Sequence, residues 1–239
     1  MTDGTMGDDS QQQRRILYGR RRGRPLRKQR SGLLEELLPR LQLDPPAEGG
    51  RFDLGTLFGQ PMRDVWFEVG FGGGEHLAWQ AARNPDVGLI GCEPFINGVA
   101  SALQHIEAQG LRNIRIAPDD ARPILDALPD ASVGRAFVLF PDPWPKLRHA
   151  RRRFIGPDNL PTLARVLKDG AELRLATDDM VLCRWMLEHT WRHPDFEWLA
   201  QGPEDWRSRP DDWPQTRYEA KRITGHAPVF LRFRRRPRA

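Results

Sequence analysis

The residues best suited to chemistry in this chain are Asp142 and Trp144, each of which stands between prolines in the segment 141–145, Pro-Asp-Pro-Trp-Pro. Because proline fixes its own backbone and restricts the residue before it, this carboxylate and this indole lose little freedom when a ligand binds. Five lysines and arginines follow within residues 146–153. A stiff acid, an aromatic plane and a cationic run suit a site that grips a nucleobase and holds nearby phosphates. The alternative is a proline-rich loop beside a solvated basic patch.

An apolar run over residues 136–140 positions this loop. Such a run predicts a strand buried on both faces, as in a parallel sheet, and the prolines that follow end its hydrogen-bond ladder. In open α/β sheets, ligands bind outside the carboxyl ends of the strands. The sequence therefore predicts the functional site at that edge of a sheet.

Strand and helix patterns alternate from Val65 to Trp191. The predicted strands span residues 65–69, 87–92, 113–116, 135–140 and 172–176, and the predicted helices span 75–83, 95–109, 121–127, 158–167 and 179–191. Further strands are expected over 196–199 and 229–233. Repeated β-α units of this length predict an α/β fold with a doubly wound, mostly parallel sheet of the Rossmann-like class.

A glycine-rich turn follows the first predicted strand, in the sequence Glu68-Val-Gly70-Phe-Gly72-Gly-Gly-Glu75. Its glycines let a ligand approach the backbone, at Gly70 and Gly72 in particular. A dinucleotide turn would place glycine at position 75, where a carboxylate competes with a pyrophosphate for the helix amides. S-adenosylmethionine has an ammonium, a sulfonium and no phosphate, so it fits both acids, and Glu68 would accept hydrogen bonds from the ammonium group.

Two further acids end the next two predicted strands. Glu93 stands 23 residues after Gly70, close to the roughly 20 residues expected of a carboxylate that binds a ribose diol. Asp120 either accepts the exocyclic amine of an adenine or caps the helix that follows, and Glu93 alone is equally compatible with an ordinary surface acid. Together, acids at three successive strand ends favour a nucleoside-type cofactor.

Charge is unevenly distributed along the 239 residues, although the net charge is only +5. Nine basic residues lie over 14–30, five over 146–153 and five over 232–238, with no acid inside any of these clusters. The rest of the chain has 18 of the 37 basic residues against all 32 acids. We therefore expect the clusters to bind a polyanion, the alternative for the terminal ones being that they serve solubility.

The ends of the chain and its cysteines bear on organisation and compartment. Residues 1–30 are predicted to be a disordered, basic RNA-binding arm, and 31–239 the main domain, in which Ser31 caps a helix over 32–41. The two cysteines stand far apart in sequence, and this argues against a disulfide scaffold or a zinc site and favours a reducing cytoplasm. No secretory segment or membrane span is predicted.

Two polar segments stand near the same predicted edge. Thr177-Asp178 ends a strand, and Asp178 either faces the site or caps the next helix. The loop 214–219, which precedes the last predicted strand, has a hydroxyl, a guanidinium, a ring and an acid within four residues. Its place in the chain would let it fold back over the pocket.

Several of these motifs closely resemble those of the bacterial tRNA (guanine-N7)-methyltransferases, in the same order along residues 14–234. They are FEVGFGGG over 67–74, DDA over 119–121, FPDPWPKLRH over 140–149, ATD over 176–178, TRYE over 216–219 and GH over 225–226. The proline-aspartate-proline-tryptophan element with its basic tail is highly specific. The chain departs from the family pattern at Pro145, often a polar residue there, and at Arg217 and Tyr218, which are usually lysine and phenylalanine.

The resemblance implies a class I methyltransferase fold that methylates guanine 46 in the variable loop of tRNA with S-adenosylmethionine and without a metal. It implies that Asp142 is the catalytic acid. The cofactor residues that it implies are Glu68, Glu93, Asp120 and Asp142, beside the turn glycines 70 and 72. The substrate residues are Lys146, Asp178, Thr216, Arg217, Tyr218 and Glu219, to which we add Arg148 for its closeness to Asp142.

Three other functions are compatible with parts of the sequence. A methyltransferase of DNA adenine amino groups also has an acid and an aromatic beside prolines at this strand end, but usually with two prolines between them. An RNA-binding module without catalysis explains the basic clusters but not the three acids. A nicotinamide oxidoreductase explains the sheet but conflicts with Glu68 and Glu75.

Overall fold

A computed structural model of the chain describes residues 17–47, 49–221 and 225–239, and within these ranges seven strands form one sheet. The strands are β1 (Asp64–Val69), β2 (Val87–Cys92), β3 (Ile114–Ala117), β4 (Val133–Leu139), β5 (Leu167–Thr177), β6 (Phe196–Trp198) and β7 (Val229–Arg235). The helices are α1 (Lys28–Glu36), α2 (Leu38–Leu41), α3 (Glu75–Arg83), α4 (Ile96–Gln109), α5 (Ala121–Ala127), α6 (Leu160–Val166), α7 (Met180–Arg192), α8 (Glu204–Arg207) and α9 (Arg217–Lys221), and a 3-10 helix spans Leu147–Arg152.

The strand order is β3-β2-β1-β4-β5-β7-β6. Strands β1 to β5 are parallel, whereas β7 runs antiparallel to both β5 and β6. The chain builds outward from β1 to β3 and then returns to the other side of β1 with β4, so the loops after β1 and β4 diverge and open a crevice between them. This topology confirms the predicted α/β fold with a doubly wound, mostly parallel sheet.

The sheet is buried on both faces. All six residues of β2 are buried, as expected for a central strand of a parallel sheet. On one face Phe67, Val138 and Leu175 belong to a core that includes residues of α5, α6 and α7. On the other face Phe137 and Phe230 belong to a core that includes residues of α3 and α4. The rigid sheet fixes where each strand delivers the residue that follows it.

The predicted element bounds hold best where the apolar pattern is clean. The helices predicted over 75–83 and 121–127 and the strand over 87–92 are found with the same bounds. Strand β5 begins at Leu167, five residues earlier than predicted. Its first part contains the polar residues Lys168 and Asp169 followed by Gly170, and the register with β4 is irregular there. A strand with polar residues and a glycine loses the hydrophobic signal from which it could be predicted.

The first helix differs from its prediction. Helix α1 begins at Lys28 after an Arg27 cap that makes no side-chain bond, so Ser31 lies inside the helix and does not cap it. The helical stretch is interrupted at Leu37, and α2 starts at Leu38 with Pro39 in its first turn. Proline lacks the N–H that a continuous helix requires, and this explains the break. The predicted boundary between residues 30 and 31 falls within α1.

Part of the predicted basic arm lies against α4. The Ile96 amide donates to the Arg21 carbonyl at 3.0 Å, and the Gly23 amide donates to Asn97 Oδ1 at 2.7 Å. The Asn97 side chain in turn donates to the Arg24 carbonyl at 2.8 Å. This stretch is therefore hydrogen-bonded to the main domain. Residues 1–16 of the predicted arm lie outside the described residues.

The C-terminal basic cluster is engaged in internal contacts. Arg232 pairs with Glu172, Arg235 with Asp195, and Arg238 with Asp169. The two remaining members are Arg234, 4.0 Å from Glu197, and Arg236, which donates to the Phe196 carbonyl. These arginines hold the end of β7 to neighbouring elements, and polyanion binding by this cluster stays a prediction.

Candidate active site

A cavity of about 590 Å³ opens at the carboxyl edge of the sheet, at the crevice between the loops that follow β1 and β4. Its size is that of a pocket for a small organic ligand. The wall contains six predicted site residues: Gly70, Gly72, Glu93, Asp120, Asp142 and Tyr218. Residues from the N-terminal segment, Leu17 and Tyr18, also line it. The site therefore lies at the edge that the sequence predicted.

The glycine-rich turn closes tightly on α4 and leaves open space on its other side. Gly70 and Gly72 have φ values of 66° and 57°, and a Cβ at either position would meet nothing within 4 Å. In contrast, a Cβ on Gly98 of α4 would lie 2.3 Å from the Gly72 carbonyl oxygen. Close packing of α4 thus pushes the turn toward the cavity, where its bare backbone can contact a ligand.

Glu93 holds this turn in place. Its Oε2 accepts a hydrogen bond from the Gly72 amide at 2.7 Å, and its Oε1 accepts one from the Phe95 amide at 2.9 Å. Burial raises the pKa of Glu93, and the two amide hydrogen bonds oppose that shift. The carboxylate lines the cavity while it ties the end of β2 to the turn after β1.

Glu68 occupies a different position from the other predicted acids. It is buried and does not line the cavity, and its Oε2 lies 2.8 Å from His76 Nδ1. His76 Nε2 lies 3.2 Å from Gln80 Nε2, and Gln80 donates to the Asp212 carbonyl. The structure brings Glu68 into this buried chain of polar groups, and its contact with a cofactor ammonium stays a prediction.

Asp120 serves the structural role that the sequence left open. It is the N-cap of α5, because its Oδ1 accepts a hydrogen bond from the Arg122 amide at 3.0 Å. The Arg122 guanidinium also pairs with its Oδ2. Since Asp120 lines the cavity as well, the helix cap does not exclude a ligand contact.

Asp142 is an exposed carboxylate at the cavity wall, and within the described ranges no side chain or amide is bonded to it. Its loop is held from behind by Arg153, whose side chain is almost completely buried. Arg153 donates to the carbonyls of Pro143 at 3.0 Å and Trp144 at 3.1 Å. The sequence analysis counted Arg153 with the surface charges, and the apolar pair that follows it at 154–155 was the only signal of burial.

Backbone strain flanks Asp142 on both sides. Phe140 and Trp144 have φ values of 50° and 42°, in the left-handed region that side chains disfavour. Such conformations cost about 1–3 kcal/mol each and persist where the surroundings enforce them, often at functional sites. The strained loop therefore presents Asp142 in a fixed position.

Three cations of the segment that follows Asp142 make no ion pair with any residue that the structure describes. Lys146, Arg148 and Arg151 are exposed, and no carboxylate in the described part of the chain lies within ion-pair distance of them. Burial lowers the pKa of the nearby His149, and the charges of Arg152 and Arg148 lower it further. Arg151 lines the cavity, and Lys146 and Arg148 precede it in the same segment, so this edge offers positive charge to an anionic ligand.

The late loop contains a capping box that the sequence analysis did not recognise. The Thr216 amide donates to Glu219 Oε2 at 2.9 Å, and the Glu219 amide donates to Thr216 Oγ1 at 3.3 Å. Glu219 is buried and also accepts from Arg209. The pattern Thr-x-x-Glu was the available signal. The structure thus uses Thr216 and Glu219 to start α9, and their predicted substrate contacts stay predictions.

Tyr218 brings the late loop over the cavity. Its ring centroid lies 5.1 Å from that of Phe140, and its hydroxyl donates to Asp178 Oδ1 at 3.4 Å. Burial raises the pKa of Tyr218, as does Asp178. The neighbouring Asp179, rather than Asp178, caps α7. The expectation that this loop folds back over the pocket is confirmed.

Arg217 points away from this contact. Its side chain is 73% exposed and its Nε lies 4.0 Å from Glu75 Oε1.

Within residues 17–47, 49–221 and 225–239 we find no cluster of three histidines, cysteines or acids that could hold a metal ion. In the same ranges no helix is long and apolar enough to cross a membrane.

The sequence is similar to named enzymes over most of its length. Residues 62–231 match the family model Methyltransf_4, described as "Putative methyltransferase". A tRNA (guanine-N(7)-)-methyltransferase of Rhodospirillum rubrum is 56% identical over 225 residues, which are 93% of this chain and 88% of that relative. The enzyme of the same name from Paramagnetospirillum magneticum is 55% identical over 92% of this chain and 93% of the relative.

The fold also has counterparts among solved structures. TrmN from Thermus thermophilus superposes with a TM-score of 0.50 at 19% identity, over 76% of this chain and 47% of that protein. At this identity the likeness concerns the fold alone. It agrees with the doubly wound sheet described above.

Proposed function

From the premise that the chain belongs to the tRNA (guanine-N7)-methyltransferase family, we propose that it transfers the methyl group of S-adenosylmethionine to guanine 46 in the variable loop of tRNA. Methylation of guanine N7 in tRNA is supported by the names of relatives that align with more than nine tenths of the chain. The donor and the position within tRNA are the finer part of the proposal. A tRNA substrate agrees with the cytoplasmic location expected from the cysteines.

The cavity fits a donor of this chemistry. A ligand that bears an adenosine and an amino acid needs bare backbone, carboxylates and room, and the wall offers the open side of Gly70 and Gly72 beside Glu93 and Asp120. We assign Glu93 to the ribose hydroxyls and Asp120 to the adenine amine. Glu68 does not line the cavity and its Oε2 is engaged by His76, so we assign the predicted contact with the donor's ammonium to its other carboxylate oxygen.

The reaction asks little of the protein beyond positioning. The donor supplies a methyl group on a sulfonium, and the in-plane lone pair of guanine N7 forms the new bond while the sulfur retains the electrons of the broken one. N7 has no proton to remove, so a general base is not required before attack, and correct placement of the base dominates the rate.

Asp142 is assigned the electrostatic part of catalysis. Positive charge arrives on the guanine as the methyl group moves, and a fixed carboxylate beside the base stabilises that charge. The observation on which the proposal depends most is that Asp142 has no partner among the described residues while Arg153 holds its loop. A carboxylate at the cavity wall that no residue neutralises is available to a ligand.

The substrate contacts are assigned to the rim of the cavity. We place RNA phosphates on Lys146 and Arg148, which are exposed and make no internal pair among the described residues. Tyr218 lines the cavity and its hydroxyl donates to the buried Asp178, so we place this pair against the target nucleotide. Arg217, which is mostly exposed, would reach the adjoining backbone. Thr216 and Glu219 contribute by shaping the turn.

The proposal is tested with unmodified tRNA transcript and S-adenosylmethionine labelled at the methyl group. We expect the label in 7-methylguanosine, located at position 46 by nuclease mapping and mass spectrometry. The matched control is the same transcript with adenosine at position 46, which should take up no label. Label in another nucleoside, or at another guanosine, would overturn the assignment.

A further inference from the structure

The guanidinium of Arg152 lies between two aromatic rings at the cavity wall. Its Cζ is 4.1 Å from the ring centroid of Tyr18 and 4.9 Å from that of Trp144. The two ring centroids are 6.1 Å apart and the planes meet at 71°. No carboxylate in the described parts of the chain pairs with Arg152. The cation is therefore held by the ring faces of an aromatic corner, which we define as Tyr18 and Trp144.

The aromatic corner lies next to the proposed catalytic acid. Tyr18, Trp144 and Arg152 all line the cavity together with Asp142. A Cβ on Gly19 would lie 3.8 Å from Asp142 Oδ2, so the chain that presents Tyr18 passes beside that carboxylate. A base bound at the corner would thus be within the reach of Asp142.

The corner is built by the fold. Trp144 is held at a φ of 42° while Arg153 binds its carbonyl, and the ring of His149 packs against its indole at 5.8 Å. Tyr18 belongs to the segment whose next residues are hydrogen-bonded to α4. Backbone strain of this kind is found mainly at functional sites, and here it holds Trp144 at 6.1 Å from the Tyr18 ring. A ligand that contacts both rings would account for it.

The Arg152 guanidinium in the aromatic corner indicates which kind of ligand the corner binds best. A guanidinium is a planar, delocalised cation, and aromatic faces attract cations. Guanine is neutral before methyl transfer, whereas guanine methylated at N7 is a planar, delocalised cation. Contacts that strengthen only as this charge develops lower the barrier, while contacts equal in both states do not.

We propose that Tyr18 and Trp144 bind the target guanine as it becomes cationic, and that Arg152 occupies this corner until RNA enters and then moves out toward a phosphate. The inference rests on the proposed guanine-N7 reaction. In this proposal the rings of Tyr18 and Trp144 position the base and stabilise its charge. Arg152 takes the place of the methylated base while no RNA is bound. The corner should therefore discriminate by charge more than by shape.

Nucleoside binding tests this without catalysis. We would titrate the full chain, with S-adenosylhomocysteine present, with 7-methylguanosine and with guanosine, and measure both affinities by calorimetry. Arg152→Met vacates the corner, so the affinity for 7-methylguanosine should rise about fivefold, the scale of one cation–π contact, while that for guanosine changes less than about twofold. Tyr18→Leu added to Arg152→Met should remove the difference between the nucleosides.

The matched control is Arg83→Met, which removes an arginine from the face of Trp79, 4.3 Å away on α3 and outside the cavity wall. It should alter neither affinity. Equal changes for both nucleosides in Arg152→Met, or no change for either, would overturn the aromatic corner. Circular dichroism of each variant establishes that the fold is retained.

Single-turnover rates with saturating tRNA separate this proposal from the previous one. Tyr18→Phe keeps the ring and should keep the rate, whereas Tyr18→Leu should slow methyl transfer about tenfold with little change in donor affinity. If the parent methylates guanine N7 in tRNA and both Tyr18 variants do so at the same rate as the parent, the aromatic corner would be refuted and the proposed function would stand. Nucleoside discrimination without any tRNA methylation would refute the proposed function instead.

Discussion

Two groups of charged residues in this protein each combine acids with basic residues but have opposite surroundings. The Arg174 cluster comprises Arg135, Glu172, Arg174, Asp212 and Arg232. The pocket-edge group comprises Asp142, Lys146, Arg148 and Arg151. In the first, every charge has a partner of opposite sign, whereas in the second none of the four has one among the described residues.

The Arg174 cluster joins three strands, β4, β5 and β7, to the loop that precedes α9. Arg174 is buried, and it donates to Glu172 and to Asp212, each at 2.8 Å. A buried charge is tolerated only where hydrogen bonds and opposite charges replace its water. At the edge of the sheet, solvent already stabilises the charges, so the fold does not require pairs. The comparison teaches that charged side chains paired with each other stabilise the fold, whereas unpaired charged side chains beside a cavity are available to a ligand.

The largest expected effect concerns the isolated acid. Asp142→Asn should slow single-turnover methyl transfer at saturating donor and tRNA by a factor on the order of 100 or more, the scale of losing one preorganised electrostatic contact. The urea midpoint should be unchanged because no described residue depends on this carboxylate. A rate within threefold of the parent would remove Asp142 from catalysis and weaken the comparison at its central residue.

The opposite result is expected for Arg174. Arg174→Met leaves Glu172 and Asp212 without a shared partner and should lower the free energy of unfolding by about 2–3 kcal/mol, measured by urea denaturation. The matched control is Arg234→Met, an exposed arginine 4.0 Å from Glu197, for which less than about 0.5 kcal/mol is expected. Equal losses for the two variants would show that pairing at Arg174 is incidental.

Salt dependence should distinguish the two groups of arginines. Arg148→Ala combined with Arg151→Ala should reduce the slope of log tRNA affinity against log salt by about 1.5 units, because each phosphate contact contributes about 0.7–0.9. The control combines Arg234→Ala with Arg236→Ala, which remove the same charge from internally bonded positions. If the two double variants changed the slope equally, tRNA binding would depend on the net charge of the protein and not on contacts at the pocket edge.

The smallest effect is a pH dependence. Burial alone would raise the pKa values of Glu172 and Asp212, but the hydrogen bonds and charges of Arg232 and Arg174 outweigh it and lower both. A lowered pKa contributes stability above the unfolded value, near 4.5 for Glu172 and 3.8 for Asp212, and this stability is lost as the pH falls through the folded value. Between about pH 5 and pH 3, Arg174→Met should therefore lose less stability than the parent. If the free energy of unfolding fell equally with pH in the parent and in Arg174→Met, Arg174 would not be what lowers the two pKa values.

The apolar pattern predicted most of the fold. Strand β2 and helices α3 and α5 were found at their predicted bounds because their periodicity is uninterrupted. The start of β5 and the short helices α8 and α9 were missed, since polar residues and glycine mask a strand and four or five residues are too few to show a helical period. Ser31 failed as a cap because α1 begins earlier, at Lys28.

The candidate site was predicted in position more reliably than in detail. Glu93, Asp120 and Asp142 meet at one cavity, as acids at strand ends must when the strands are parallel. Glu68 follows the same rule in sequence, yet His76 draws it into a buried contact. That contact is made across the first turn of α3, so it depends on how the helix packs and not on the spacing of the motif.

The sequence by itself determined which chemistry the chain could perform, because residue types and short spacings decide what a strand end or a glycine turn can offer. Only the tertiary structure decided which charges remain available to a ligand. Glu172 and Arg232 are 60 residues apart yet 2.9 Å from each other, whereas Arg152, within a run of three arginines, stands apart on two aromatic rings. Pairing across such distances follows from the order and direction of strands, which no local pattern specifies.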